Sequence, residues 1–287
     1  MNFTTKLWNK YKYGNYLIKI IYINTAVFIL ISLVRVFTFL LKVDNQGLYY
    51  PVNYLMLPSN INTLLHEPWT LLTYMFTHEE ILHILFNMLW LYWFGKIFID
   101  YLSSKKFLYT YLIGGLFGAF FFIAAFNIFP AFSNVVASAK ALGASAAVIA
   151  IVVAITAYIP DYKMNIIFIG EVKMKYIALI TIVIDFLSIA GENSGGHIAH
   201  LGGAFYGLIY GLSLRNNKIS FKIPKIRWLK KREKKHKTTR TMSDSDYNYE
   251  KAQQQKEIDH ILDKIAKSGY DSLSKKEKET LFKSSQR

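Results

Sequence analysis

Gly143-Ala144-Ser145-Ala146-Ala147 opens an apolar segment that carries no charged residue until Pro160-Asp161. Small side chains at its head let a neighbouring helix come close. The Ser145 hydroxyl sits one turn into the run, where a polar group lies at the edge of a bilayer's hydrocarbon core. Two other stretches share this pattern. Ala199-His200-Leu201-Gly202-Gly203-Ala204-Phe205-Tyr206-Gly207 carries an imidazole into another apolar run, and His83-Ile84-Leu85-Phe86-Asn87 sets an imidazole and an amide at the head of a third.

Composition points the same way. Of 287 residues, 53% are hydrophobic, 16% aromatic and 18% charged, against roughly 25% charged in soluble domains. Charge is nearly absent from several runs of about 20 residues, the length that crosses a bilayer. The net charge of +15 flanks those runs and crowds the C-terminal tail, as in cytoplasmic loops of membrane proteins, so nucleic acid is not the expected partner. The absence of cysteine excludes disulfides and thiolate chemistry. The first apolar run is too long for a signal-peptide core and lacks a clear cleavage site, so it reads as a retained span.

Taken in order, residues 1–16 form a short basic and aromatic cytoplasmic segment. A six-helix membrane domain follows over 17–214, with spans at about 17–41, 80–100, 107–128, from Gly143 to Pro160, 176–190 and 197–214. Arg35 in the first span must snorkel or face protein. Residues 42–79 form a long outer loop whose apolar content packs back on the protein or the interface. With the N-terminus inside, six spans place every Lys/Arg-rich flank on the cytoplasmic face. Ser145, His83 and His200 then all fall near the outer ends of their spans.

Residues 215–245 are a basic cytoplasmic linker; 215–240 hold twelve Lys/Arg and a single Glu, Glu233, a composition suited to anionic lipid. Residues 246–287 form a small helical appendage. Ile258, Ile261, Leu262 and Ile265 have helical spacing, Ser268-Gly269 ends that helix, and Ser274-Lys275-Lys276-Glu277 is a capping box that begins another. The fold class is therefore all-α: a polytopic bundle of six transmembrane helices with a small cytoplasmic appendage.

The polar residues within the spans suggest acyl transfer. Attack by a serine needs a base for the hydroxyl proton and donors aimed at the developing oxyanion. Ser145 is the candidate nucleophile and His200 the candidate base. Gly203 and Gly207 provide a small-residue face just below His200, and Gly143 with Ala147 another on the Ser145 helix. His83 and Asn87, at i and i+4, share a helix face and can donate hydrogen bonds beside the Ser145 amide. His78 and His83 resemble a zinc-protease pair, but five residues set them about 140° apart on a helix, and that geometry is rejected. His197 and His200 lack an evident third ligand on their face, so no metal and no cofactor is expected. Asp185 is a lone carboxylate, expected to accept from His197 rather than to orient His200.

These pieces together resemble the rhomboid intramembrane serine proteases over residues 17–214. The resemblance rests on Glu67-Pro68-Trp69, Thr77-His78, His83 to Asn87, Gly143-Ala144-Ser145-Ala146, and Ala199-His200-Leu201-Gly202-Gly203 with Gly207. It implies a Ser145–His200 dyad in a water-filled cavity open to the outer face, with His83, Asn87 and the Ser145 amide as oxyanion site. Substrates would be single-span proteins cut in or near the bilayer. Two positions depart from the family's habit. Trp69 is followed by Thr70 rather than arginine, and Ile149 stands where many members have an aromatic residue four after the nucleophile.

The alternatives are a catalytically silent membrane-protein binding or quality-control factor on the same fold, and a small transporter. A transporter should show inverted repeats with broken helices, and the sequence has no such halves. A composition heavy in Lys, Asn and Ile leads us to expect a bacterial plasma membrane.

Overall fold

In the computed structural model, the described residues are 3–42, 52–166 and 170–216, with 261, 263–265, 269–274, 277–278 and 280–281 beyond them. The basic linker beyond residue 216 and most of the appendage, including Ile258 and Leu262, lie outside that set. The chain divides into two compact units, Met1–Lys222 and Ile223–Arg287.

In the first unit, helices α1 (Phe3–Tyr13) and α2 (Tyr16–Leu40) are separated at Gly14-Asn15. The break occurs where Asn15 Oδ1 accepts from the Ile18 N–H at 3.1 Å and caps the new helix. Residues 1–16, expected as a surface segment, thus contain a helix. After the short helix α3 (Ile61–His66) come α4 (Ile81–Tyr101), α5 (Ser104–Ile128), α6 (Ser145–Tyr158), α7 (Met174–Leu187) and α8 (Ser194–Arg215). Helices α2, α4 and α5 are long and apolar enough to cross a membrane, whereas α6 is apolar but shorter. Arg35 is exposed on α2, where it can reach the interface.

Helix α6 is the centre of the bundle. All twelve residues from Ala146 to Ala157 are buried, so the other helices shield it from lipid. Its 14 residues rise only about 21 Å, against roughly 30 Å of hydrocarbon. The helix expected to start at Gly143 thus starts at Ser145 and is shorter than the hydrocarbon thickness.

Two small-residue rows bring α8 against it. A Cβ at Gly203, Gly207 or Gly211 would strike the carbonyl of Ala146, Ala150 or Ala154 respectively. Both rows run at i, i+4, so the backbones meet ridge to ridge with no side chain between them. Gly143 behaves differently. It lies outside α6 with φ of 115°, and a Cβ there would come 2.8 Å from the His83 ring. It makes room for that imidazole rather than for a neighbouring helix.

The loop expected to lie on the outer face is pinned down at several points. Strands β1 (Leu57–Pro58) and β2 (Lys140–Ala141) pair antiparallel, tying the loop to the segment that leads into Ser145. Ser59 Oγ donates to Val136 O at 2.8 Å and its carbonyl accepts from Asn127 Nδ2 at 2.8 Å. Trp69 Nε1 donates to Tyr54 O at 2.7 Å, and Thr70 Oγ1 to Glu67 O at 2.6 Å. The loop is thus anchored without the arginine that commonly follows the tryptophan. Deeper in, Tyr111 Oη donates to Met75 O at 2.8 Å and itself accepts from Asn24 Nδ2 at 3.2 Å.

On the opposite side, the expected inner loop holds a hairpin of β3 (Lys163–Ile166) and β4 (Gly170–Lys173). Lys163 stands across from Lys173, a repulsive pairing. Each lysine is neutralised by an acid, Glu171 at 2.8 Å and Asp161 at 3.0 Å. Hydrogen bonds from Lys175 and Lys173 hold the exposed Asp161 carboxyl down at about 2.

In the second unit, Gly269 takes φ of 77° and donates its N–H to Ile265 O at 2.9 Å, the stop expected at Ser268-Gly269. The expected capping box is formed. Ser274 N–H donates to Glu277 Oε2 at 2.7 Å, and Glu277 N–H to Ser274 Oγ at 3.4 Å.

Candidate active site

Gly143's positive φ turns the chain from β2 into α6, and this turn aims the Ser145 hydroxyl. Two backbone donors at the bend are already engaged. Gly143 N–H donates to Tyr74 O at 2.9 Å, and Ala144 N–H donates to His78 Nε2 at 3.3 Å. The first-turn amides of α6, from Ser145 onward, have no carbonyl partner within the helix and add the positive end of its dipole.

Ser145, His200, His83 and Asn87 all line one cavity of about 720 Å³, together with Asp185, Asn193, Glu79 and Trp90. The four residues expected to form the site therefore meet. Ser145 Oγ points toward the His83 side of the bend: a Cβ on Gly143 would lie 3.6 Å from it and 2.9 Å from His83 Nε2. Among the described residues, no hydrogen bond joins Ser145 to His200.

Asn87 is buried on the first turns of α4, and its amide is more committed than its sequence position suggests. Nδ2 donates to His83 O at 3.0 Å and faces His78 Nε2 at 3.3 Å. To reach an oxyanion, it must share or release one of these partners.

His78 is the residue that sequence reasoning undervalued. Measured as a helix neighbour of His83 it looked misdirected, but it precedes α4 in the loop. Its ring instead meets the His83 ring edge-on, with centroids 5.1 Å apart. Nε2 accepts from Ala144 N–H and faces the Asn87 amide, so the proton belongs on Nδ1. Burial, and then the nearby His83, push His78 down to about 4, and it is neutral at ordinary pH. Burial likewise raises the Glu79 carboxyl.

Asp185 departs further from expectation. Near the end of α7, it was expected to serve His197 and not His200. A single oxygen, Oδ1, lies 2.8 Å from Nδ1 of His197 and also 2.8 Å from Nδ1 of His200. Holding the His200 proton on Nδ1 leaves Nε2 as the free acceptor, the tautomer a general base requires. The carboxylate also supplies the third ligand that His197 and His200 lacked: the three ligand atoms lie within 4.8 Å of one another.

A bundle of long apolar helices wrapped around a short buried one, with a serine and a histidine lining one polar cavity, defines a polytopic helical membrane protein. Residues 65–217, more than half of the chain, match the Rhomboid domain family. The chain belongs to the rhomboid family.

Among curated relatives, it is similar to the Danio rerio "Presenilin-associated rhomboid-like protein A, mitochondrial". That relative is 29% identical over 143 residues, 47% of this chain and 34% of the relative. The Homo sapiens "Presenilin-associated rhomboid-like protein, mitochondrial" is 28% identical over 145 residues, 47% of this chain and 35% of the relative. The chain spans about a third of the length of the curated relatives it matches. Residues 242–287 match a family of unknown function, DUF6576.

Proposed function

We propose that this rhomboid-family protein is an intramembrane serine endopeptidase. The observation that carries the reading is one cavity lined by Ser145, His200, His83 and Asn87, with Asp185 2.8 Å from His200 Nδ1. Ser145 Oγ attacks a scissile carbonyl and passes its proton to His200 Nε2. The Ser145 amide, His83 and Asn87 bind the oxyanion, and His200 returns the proton to the leaving amine. Substrates are single-span membrane proteins. A helix buries its own carbonyls in hydrogen bonds, so a segment must unwind to reach Ser145. No cofactor enters these steps.

The proposed topology has six crossings with both termini cytoplasmic, and the cavity opens away from the Lys/Arg-rich flanks. Its domains are 1–16, 17–214, a basic linker over 215–245 that meets anionic lipid, and an appendage over 246–287. The relatives' names place them in mitochondria, so the comparisons lend no support to the bacterial plasma membrane expected from composition.

A second reading is a catalytically silent membrane-protein binding factor. The comparisons taken alone favour it, because the relatives' names describe association with a partner and mention no activity. The two readings part on one experiment. Protein purified in detergent is incubated with a generic single-span substrate and with a serine-directed fluorophosphonate. Cleavage and labelling by wild type, both lost in Ser145→Ala and His200→Ala, are expected of the protease. Cleavage that survives Ser145→Ala rejects the mechanism. A wild type that binds the substrate without cutting it, as Ser145→Ala also does, is the silent factor.

A further inference from the structure

Asp185, His197 and His200 straddle the turn between α7 and α8. The two histidines sit one helical turn apart on α8 and aim both Nδ1 atoms at one carboxylate oxygen, each at 2.8 Å. Asp185 has a side-chain exposure of 7%, while His197 and His200 keep 23% and 18%. Two of the three, Asp185 and His200, line the cavity, which gives a cation an entry path. Two imidazoles and a carboxylate with one position left open suit a borderline divalent transition metal, as in His₂-carboxylate zinc sites.

We propose that this trio is a regulatory site for a divalent transition cation of the Zn²⁺ class, and that its occupancy switches off His200. The regulatory half rests on the protease reading above; the binding half does not. In the metal-free state the His200 proton is on Nδ1 and hydrogen-bonds Asp185, so Nε2 has a free lone pair. A cation on Nδ1 needs the lone pair of that nitrogen, so the Nδ1 proton is displaced and the ring takes one up on Nε2 instead. The imidazole stays neutral, no net proton is lost from the ring, and Asp185 remains a carboxylate. Nε2 now carries N–H and cannot accept the Ser145 proton. The device is a tautomer lock, and it requires no movement of a helix.

The test separates site from activity. Full-length Ser145→Ala protein, purified in detergent without a histidine tag, is titrated with Zn²⁺ by calorimetry and with Co²⁺ by visible absorption. One cation per chain is expected, with affinity weakened in Ser145→Ala/His197→Gln by more than the ~10–100-fold that loss of an outer partner costs. Thermal unfolding checks that this variant is folded. No heat and no Co²⁺ band, or binding indifferent to His197→Gln, overturns the site. In the activity arm, Zn²⁺ should inhibit wild-type cleavage reversibly with EDTA, and His197→Gln should cleave at the wild-type rate but resist Zn²⁺. Binding at the trio with no effect on wild-type cleavage overturns the switch. A metal-free wild type that never cleaves sinks the protease reading and the switch with it, while calorimetry still decides the site.

Discussion

Asp185 accepts two imidazoles through one oxygen, and the consequence falls on the tautomer of His200. Asparagine at 185 keeps the volume but can donate to Nδ1, which places the ring proton on Nε2. Asp185→Asn is therefore expected to lower kcat by about 10²–10⁴ with little change in KM. A merely structural role would not move the alkaline and acid limits of the kcat profile, and this substitution should. His78 makes a prediction about pH. The folded protein keeps it neutral down to about 4, while in the unfolded chain it takes up a proton below its usual 6.5. Between those values the unfolded state binds more protons, so stability is full above 6.5 and declines as pH falls toward 4. At about 1.4 kcal/mol per unit, the loss approaches 3 kcal/mol. Melting temperatures at neutral and acid pH should converge in His78→Gln relative to wild type.

At the scale of elements, the α6–α8 seam sets the distance between Ser145 and His200. Gly203 meets the Ala146 carbonyl directly, one residue beyond the nucleophile. Gly203→Val is expected to destabilise by about 1–3 kcal/mol, lower the melting temperature and abolish cleavage by spreading the helices. Gly203→Ala should show the same losses in smaller measure. The loop staple belongs here too. Ser59→Ala removes the one hydroxyl donor that Val136 O, at 2.8 Å, and Ala139 O, at 3.1 Å, share, which should reduce stability by about 1 kcal/mol. Residues 197–214 read as a span, and the spacing of Gly203 and Gly207 announced a close helix contact. The inner hairpin was not foreseen, because its strands carry charged residues paired across the turn and show no sustained alternating apolar pattern.

Across the whole molecule, the arrangement turns on a short helix held inside longer ones. Among the described residues, three helices carry the length and apolarity to cross a bilayer by themselves; α6 is sheltered by the rest. The proposed six-crossing topology is testable with unusual ease because the chain has no cysteine. Single cysteines at Asn165 and Glu192 should label from opposite faces of sealed vesicles with an impermeant maleimide. Labelling of both from one face excludes an α7 that crosses between them.

The apolar runs, the chain order of the serine, histidine and asparagine motifs, and the glycine rows were legible in the linear sequence, since each depends only on spacing along one helix. Rotation and depth were not. Whether Asp185 serves one histidine or two, whether His78 turns back onto the Ser145 bend, and whether Gly143 packs a helix or clears a ring depend on contacts between segments far apart in the chain. Those contacts form only when α6 is enclosed, because a polar group in the apolar interior is costly unless it meets a partner across the bundle. The tertiary structure decided that pairing.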